Sequence, residues 1–488
     1  MKSRFGRVLF AICAVAVFAI AAASPGECAP PKKWDRSADV VVVGAGGAGL
    51  AAAVTAAEKK ASVIVLEKMP TIGGNTIISG GGLNAADPER QGRQGIKDSP
   101  EHHFNQTIAA GDFRADPEKV KIMTAQGLDA VKWLESYGLE FKDNVFQIYG
   151  SLYPRSHNPV LPKGTGYIKT LKAAADKHGV KTFTEMKVEE IIREKQLDGR
   201  VLGVRATDKA GKTVYVQAKK AVVLAAGGFG ANKELRALHD PRMRELTTTN
   251  APHATGEVLL QAMDIGGYPV GMDHIQCNPG APPGRKLRVI LHIDVARYIM
   301  VDKQGKRFVA EDERRDVIRE AILNLPGQSG FSVVDEDGYQ NHDVIWRDTA
   351  VKGLETGDAF KADTLEELAK KMGVPADAFV ETVKKYNAFV DAQNDADFGK
   401  KKRNLTHKIV KPPFWSCLAG MSVHHTMGGL NINTKTQVLD RGGKVIPALY
   451  AAGEITGGIH GANRVGGNAI LDIMVFGRIA GANAAAEK

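Results

Sequence analysis

The run "DVVVVGAGGAGLAAAVTAAEKKASVIVLEK" (39–68) restricts the fold more than any other part of this 488-residue chain. Four consecutive valines suit a strand covered on both faces, as in a parallel sheet. Gly44, Gly46 and Gly49 follow in G-x-G-x-x-G spacing, with Ala48 inside the turn, and open an alanine-rich helix. A second strand ends on Glu67. Glycines alone would be weak support, but strand, glycines, helix, strand and terminal acid together specify a dinucleotide site. The backbone can approach a pyrophosphate at the helix N-terminus, and Glu67 can accept from ribose hydroxyls.

The next segment narrows the cofactor. "GGNTIISGGGLNAA" (73–86) places Gly74, Asn75 and Thr76 in one small-residue cluster and Gly80 and Gly81 in another. Such a loop can lie along the rest of an extended cofactor, which favours FAD over a nicotinamide. The pattern of strand into glycines returns in "KKAVVLAAGGFG" (219–230). It returns again in "ALYAAGEITGGIHGANRVGGNAILDIMVFGRIAGANAAA" (448–486), where a helix is expected from about Asn468. A helix N-terminus aimed at the flavin would stabilise negative charge on the reduced ring. The expected class is therefore α/β: a Rossmann-like FAD-binding domain built from both chain ends, with an α+β capping domain inserted. Within the insertion, "TLEELAKKMGVPADAFVETVKKYNAFVDA" (364–392) reads as two amphipathic helices. "GKRFVAEDERRDVIREA" (305–321), taken alone, reads as a solvated charged helix.

Composition excludes some partners. The formal charge is +10, but basic residues are scattered and only "GKKKR" (399–403) forms a run, so nucleic acid is not expected. The first 29 residues have a basic start, an apolar run and small residues, the pattern of a cleaved secretory signal, which implies the periplasm. The sequence before Cys28 is a poor lipobox, there is no twin-arginine pair, and no stable membrane anchor is expected. No Cys-x-x-Cys-His occurs, so no attached haem is expected, and no metal site is expected either. Cys277 and Cys417 could form a disulfide or remain two buried thiols.

Six motifs occur in one order: the fingerprint with Glu67, "GGNT", "AAGGF", "GKRFVAEDERRD", "SVHHTMGG" and "AAGEITGGIHGANRVGGNAI". From about Asp39 onward the chain resembles the soluble flavoprotein fumarate reductases and their urocanate- and methacrylate-reducing relatives. The resemblance implies a FAD domain at 37–272 and 425–488, with a mobile capping domain at 273–424. It implies FAD contacts at Gly44, Gly46, Ala48, Gly49, Glu67, Gly74, Asn75, Thr76, Gly80, Gly81, Glu257, His425, Glu454, Asn468, Ala469 and Ile470. Haem and further flavin domains of some relatives have no counterpart here, so a separate periplasmic c-type cytochrome is the expected electron donor.

The resemblance also implies chemistry. Reduction of an activated C=C needs a hydride at the β-carbon, a proton at the α-carbon and cations on the carboxylate. The implied clamp is His424 and Arg464, with Gly467 beside them. The implied proton donor is Arg315, leaving Arg314 as a solvated neighbour. Asp294 and Arg297 stand where the family has a proton relay, with aspartate replacing the usual glutamate. Asn278 and Ile293 replace the histidine and threonine that hold fumarate's second carboxylate. Loss of that polar grip points to a monocarboxylic 2-enoate such as methacrylate or acrylate. Fumarate, urocanate and cinnamate are alternatives, as are a ketosteroid-type dehydrogenase and a non-enzymatic flavin carrier.

Some membrane-bound relatives attach FAD through a histidine in the loop after the fingerprint. Residues 71–86 contain none, so the cofactor is expected to be non-covalent. Acid precipitation should release it into the supernatant; flavin remaining with the washed pellet would contradict this.

Overall fold

The computed structural model describes residues 30–148, 150–292 and 294–488. The leader expected over 1–29 and the substrate-pocket residue Ile293 lie outside the described residues.

The strand Arg36–Val43 lies inside an eight-stranded sheet, parallel to Val63–Leu66 on one side and Thr213–Leu224 on the other. Val40, Val41 and Val42 are wholly buried, as a strand covered on both faces requires. The strand Val445–Ala451 joins beside Thr213–Leu224, also parallel, with Leu449 opposite Val222. The Rossmann-like domain is thus completed by the C-terminal part of the chain.

Two helices secure that closure. Gly47–Glu58 and Asn468–Ala486 pack so closely that side chains at the crossing have no room. A Cβ on Gly477 would lie 2.7 Å from the Ala48 carbonyl oxygen, and one on Gly481 would lie 2.1 Å from that of Ala52. The helix begins at Asn468, where the sequence places it. By length and composition it could cross a membrane, but most of it is buried in this packing.

The second sheet is organised by one strand, Phe414–Thr426. It pairs antiparallel with Ile275–Gly280, Gly330–Val334 and Ala359–Ala362, and parallel with Thr247–Thr248. The proposed division at 424/425 falls inside this strand, and Thr247–Thr248 joins the sheet from before the division at 272/273. The helices Leu365–Met372 and Ala376–Ala392 form as their apolar spacing predicts, burying Leu368, Met372, Phe379, Val383 and Tyr386 in a second core.

The charged stretch 305–321 departs from its reading as a solvated helix. Only Arg315–Leu323 is helical. Upstream, Arg307 and Glu311 are buried in a network with Asp395 and Lys400. Arg307 donates to Glu311 through Nε and Nη2, both at 2.9 Å, and to Asp395 at 3.1 and 2.9 Å. Charges so placed are tolerated because each is paired. Sequence periodicity could not show this, because Asp395 and Lys400 arrive from more than eighty residues away. Cys277 and Cys417 are both free and buried; burial pushes both thiols up to about 12.

Candidate active site

The helix Gly47–Glu58 starts at Gly46 with no side-chain cap; Gly47 N–H donates to Thr76 Oγ1 at 3.1 Å, and the N–H groups of Ala48 and Gly49 face the position an anion would take. Around it runs a cleft enclosing about 990 Å³, part of it open to solvent. Gly44, Gly46, Ala48, Glu67, Gly74, Asn75, Thr76, Glu257 and Glu454, all among the expected contacts, lie on its wall. The cleft is shaped by missing side chains. A Cβ on Gly46 or Gly74 would project toward open space, with nothing nearer than 3.9 and 3.8 Å, and one on Gly227 would meet nothing within 4 Å. These residues fit an extended dinucleotide.

Other expected contacts have structural roles as well. A Cβ on Gly49 would strike the Gly44 carbonyl oxygen at 1.9 Å, so Gly49 packs beneath the wall. Gly81, beyond Gly80, adopts φ +79 against the Lys163 carbonyl. Glu67 accepts from the N–H groups of Ala45 at 2.9 Å and Met69 at 3.0 Å, which locks the turn. Glu257 pairs with Lys68 at 2.9 Å. Asn468 is held by Asn84, His103 and Thr107, so its side chain fixes the start of the last helix. The first-turn N–H groups of Ala469 and Ile470 are what a ligand would meet there.

Next to Glu454, on the wall of the cleft, stands a cluster of cations and imidazoles, with His425 Nδ1 3.7 Å from Glu454 Oε1. Arg464 is 4% exposed. Its Nη2 donates to Gln276 Oε1 at 2.8 Å, and Gln276 Nε2 donates back to the Arg464 carbonyl at 2.8 Å. His424 Nδ1 meets Thr249 Oγ1 at 2.7 Å, which orients the ring. Arg315 opens the helix Arg315–Leu323 and lies against Gly150, where an added Cβ would be 2.1 Å from Nη2. The Gly150 carbonyl accepts from the Gly466 N–H at 2.7 Å. Gly467, at φ +90, leaves no space for a side chain beside Asn84. The chain therefore brings Arg315, His424 and Arg464 together from segments far apart in sequence.

The electrostatics of the cluster follow from burial without enough negative charge. Burial, then Arg464, Arg315 and Arg288, hold His424 well below the usual imidazole range, so it is neutral at physiological pH. His425 is neutral for the same reasons, with burial and Arg464 foremost. Arg464 is pushed down to about 9 by burial and then by Arg315. Burial raises the Glu454 carboxyl, although Thr426 donates to it at 3.0 Å. An anion seated among these groups would reverse the penalty on Arg464.

The remaining expected residues are farther out. Asp294 pairs with Arg297 at 3.2 Å and accepts from Asn341 at 3.1 Å, in a partly exposed position. Asn278 sits opposite Ser422, with its Oδ1 buried and unpartnered. Arg314, expected as a solvated neighbour, is partly exposed but also binds Asp112 and Asp316. Sequence reasoning missed Thr249, Gly150, Gln276 and Arg288. Arg288 donates to the Pro279 carbonyl at 3.2 and 2.9 Å and lies over Trp346 at 5.6 Å. Only Gln276 carried a signal, standing two residues before Asn278 in "HIQCNPG" (274–280).

Thr249→Val should keep the ring in place but release its tautomer. Its kcat/KM should fall roughly tenfold, the loss of one hydrogen bond of about 1–1.5 kcal/mol, with FAD content unchanged. Steady-state kinetics within twofold of the wild type would show that Thr249 does not orient His424.

Comparisons with known proteins identify the family. Residues 39–470 match the FAD binding domain family. The chain is 35% identical over 515 residues to the NADH:acrylate oxidoreductase of Vibrio harveyi, covering 93% of this chain and 51% of that protein. It thus spans about half the length of that relative. It is 32% identical to the acrylate reductase flavoprotein subunit of Shewanella woodyi, with 98% of each chain covered. Among solved structures, the open conformation of a flavocytochrome c3 fumarate reductase superposes with a TM-score of 0.78 at 36% identity, covering 93% of this chain and 79% of that one. The chain belongs to the FAD binding domain family of flavoprotein oxidoreductases, and FAD is its cofactor.

Proposed function

We propose that the protein reduces the C=C bond of a 2-enoate. One observation carries this reading: Arg464 is buried beside Arg315 and the neutral His424, an arrangement that an anionic substrate would relieve. Arg464 and His424 would hold the carboxylate, which draws electron density from the double bond. Bound FAD, when reduced, supplies the hydride that forms the new bond at the β-carbon. As the π bond breaks, its electron pair moves to the α-carbon, and Arg315 delivers a proton there. Arginine is a weak acid, with a pKa above about 12. Its acceptor here is a forming carbanion, which is itself strongly basic. Asp294 and Arg297 are proposed to return the proton to Arg315.

The two electrons are proposed to come from a separate c-type cytochrome, and the leader motif in residues 1–29 supports a periplasmic location. For the substrate, the monocarboxylates methacrylate and acrylate come first, because Asn278 offers a neutral amide where fumarate's second carboxylate would need a charge-assisted contact. Ile293 supports the same reading through its sequence alone. One observation favours a second reading, fumarate: Arg288 is near enough to suppress protonation of His424 and could meet a distal carboxylate.

Oxidation of reduced viologen against a panel of 2-enoates separates these readings. A monocarboxylate should exceed fumarate by at least about a hundredfold in kcat/KM, the loss of one or two charge-assisted contacts. Arg315→Ala should abolish turnover while retaining FAD. Fumarate as the best substrate, with its rate lost in Arg288→Met, would replace the monocarboxylate reading with the fumarate one. Arg315→Ala retaining substantial turnover would remove the proposed acid.

A further inference from the structure

The substrate site lies between two parts of the molecule, and Arg464 and His425 are almost inaccessible to solvent. Separation of the capping segment that bears Arg315 from the FAD-binding part, which the family resemblance implies, would admit a substrate to them. Among the described residues, two side-chain ion pairs join the helix Arg315–Leu323 and the residue before it to that part. Toward its C-terminal end, Glu320 accepts from Arg242 at 2.9 Å. At its N-terminal end, the residue immediately before Arg315 makes the tie: Arg314 Nη1 and Nη2 donate to Asp112 Oδ1 and Oδ2 at 2.7 and 2.9 Å, across 202 residues of chain. The same guanidinium also binds Asp316 in the helix's first turn, which fixes its orientation.

Asp112 is presented by an unusual turn. Asp112 and Phe113 both adopt positive φ, +54 and +56, in the left-handed region that non-glycine residues rarely occupy. The turn is fastened to the loop that leads into Arg464. Ala462 N–H donates to the Gly111 carbonyl at 3.0 Å, and Asp116 N–H donates to the Gly458 carbonyl at 2.7 Å. One bidentate pair therefore joins the segment holding the proposed acid to the segment holding the carboxylate clamp. Both side chains remain about 40% exposed, at 38% and 42%. An ion pair so exposed adds little to global stability, but it can form and break as the parts meet and separate.

Resting on the enoate-reductase reading, we infer that Arg314 and Asp112 form the latch of the closed state, and that Arg314 is the positioning residue that registers Arg315 over the substrate. The test compares holoenzyme carrying Arg314→Ala, Asp112→Ala, the double change and Arg314→Lys. Two readings are taken: kcat/KM with the preferred enoate at low and high salt, and amide hydrogen exchange across residues 305–325. Each alanine variant should lose about tenfold in kcat/KM, and the double variant no more than either single. Arg314→Lys should recover part of the loss. Molar salt should slow the wild type and leave the double variant unaffected. Exchange in 305–325 should quicken in the alanine variants, with FAD content unchanged. Additive losses, variants within twofold of the wild type, or unchanged exchange would each overturn the latch. If exchange quickens as expected but the wild type reduces no enoate, the latch stands and the proposed reaction fails.

Discussion

The first and last helices must touch backbone to backbone, and the rest of the molecule depends on that contact. Gly477 and Gly481 stand four residues apart on one helix face, over Ala48 and Ala52 on the other helix. This spacing repeats about once per turn, so two adjacent turns of each helix meet without intervening side chains. The consequence extends beyond packing. The last helix begins at Asn468, whose side chain is clasped by Asn84, His103 and Thr107. The loop entering it carries Arg464 and Gly467. Fixing this helix against the fingerprint helix therefore fixes Arg464 relative to the FAD cleft.

The cluster at the end of that cleft owes its properties to burial. Two guanidinium groups and two imidazoles share a space poor in water, with Arg464 and His425 buried and Arg315 and His424 partly exposed. The imidazoles remain neutral, and Arg464 is held less firmly protonated than an ordinary arginine. Gln276 offers Arg464 a neutral acceptor, which orients the guanidinium without cancelling its charge. A carboxylate as partner for Arg464 would have filled the site permanently. Positive potential is thus kept available for a ligand, inside a shape set by glycine backbone.

How much of this could be read in the sequence depended on the range of each interaction. The FAD half was legible because its signal is local: strand, glycines and helix lie within thirty residues, and each residue type has a backbone reason to be there. The helices at 365–372 and 376–392 were legible through periodicity. His424, Arg464 and Arg315 were legible only through family resemblance, since no spacing joins them. Thr249 and Arg314 were not legible at all. Their partners His424 and Asp112 lie 175 and 202 residues away, and nothing local distinguishes a latch arginine from a solvated one. The stretch 305–321 misled for the same reason, because charges that look solvent-facing in sequence can be buried when their counterions come from a distant segment.

The proposed reaction requires the cations around Arg464 to select a carboxylate. The most direct measurement titrates oxidised holoenzyme with methacrylate and with methacrylamide, which have the same shape but differ in charge, and follows the flavin absorbance. A saturable spectral shift is expected with the acid, lost in Arg464→Met, and none with the amide at the same concentrations. Equal responses to acid and amide, or a response to the acid that survives Arg464→Met, would contradict it.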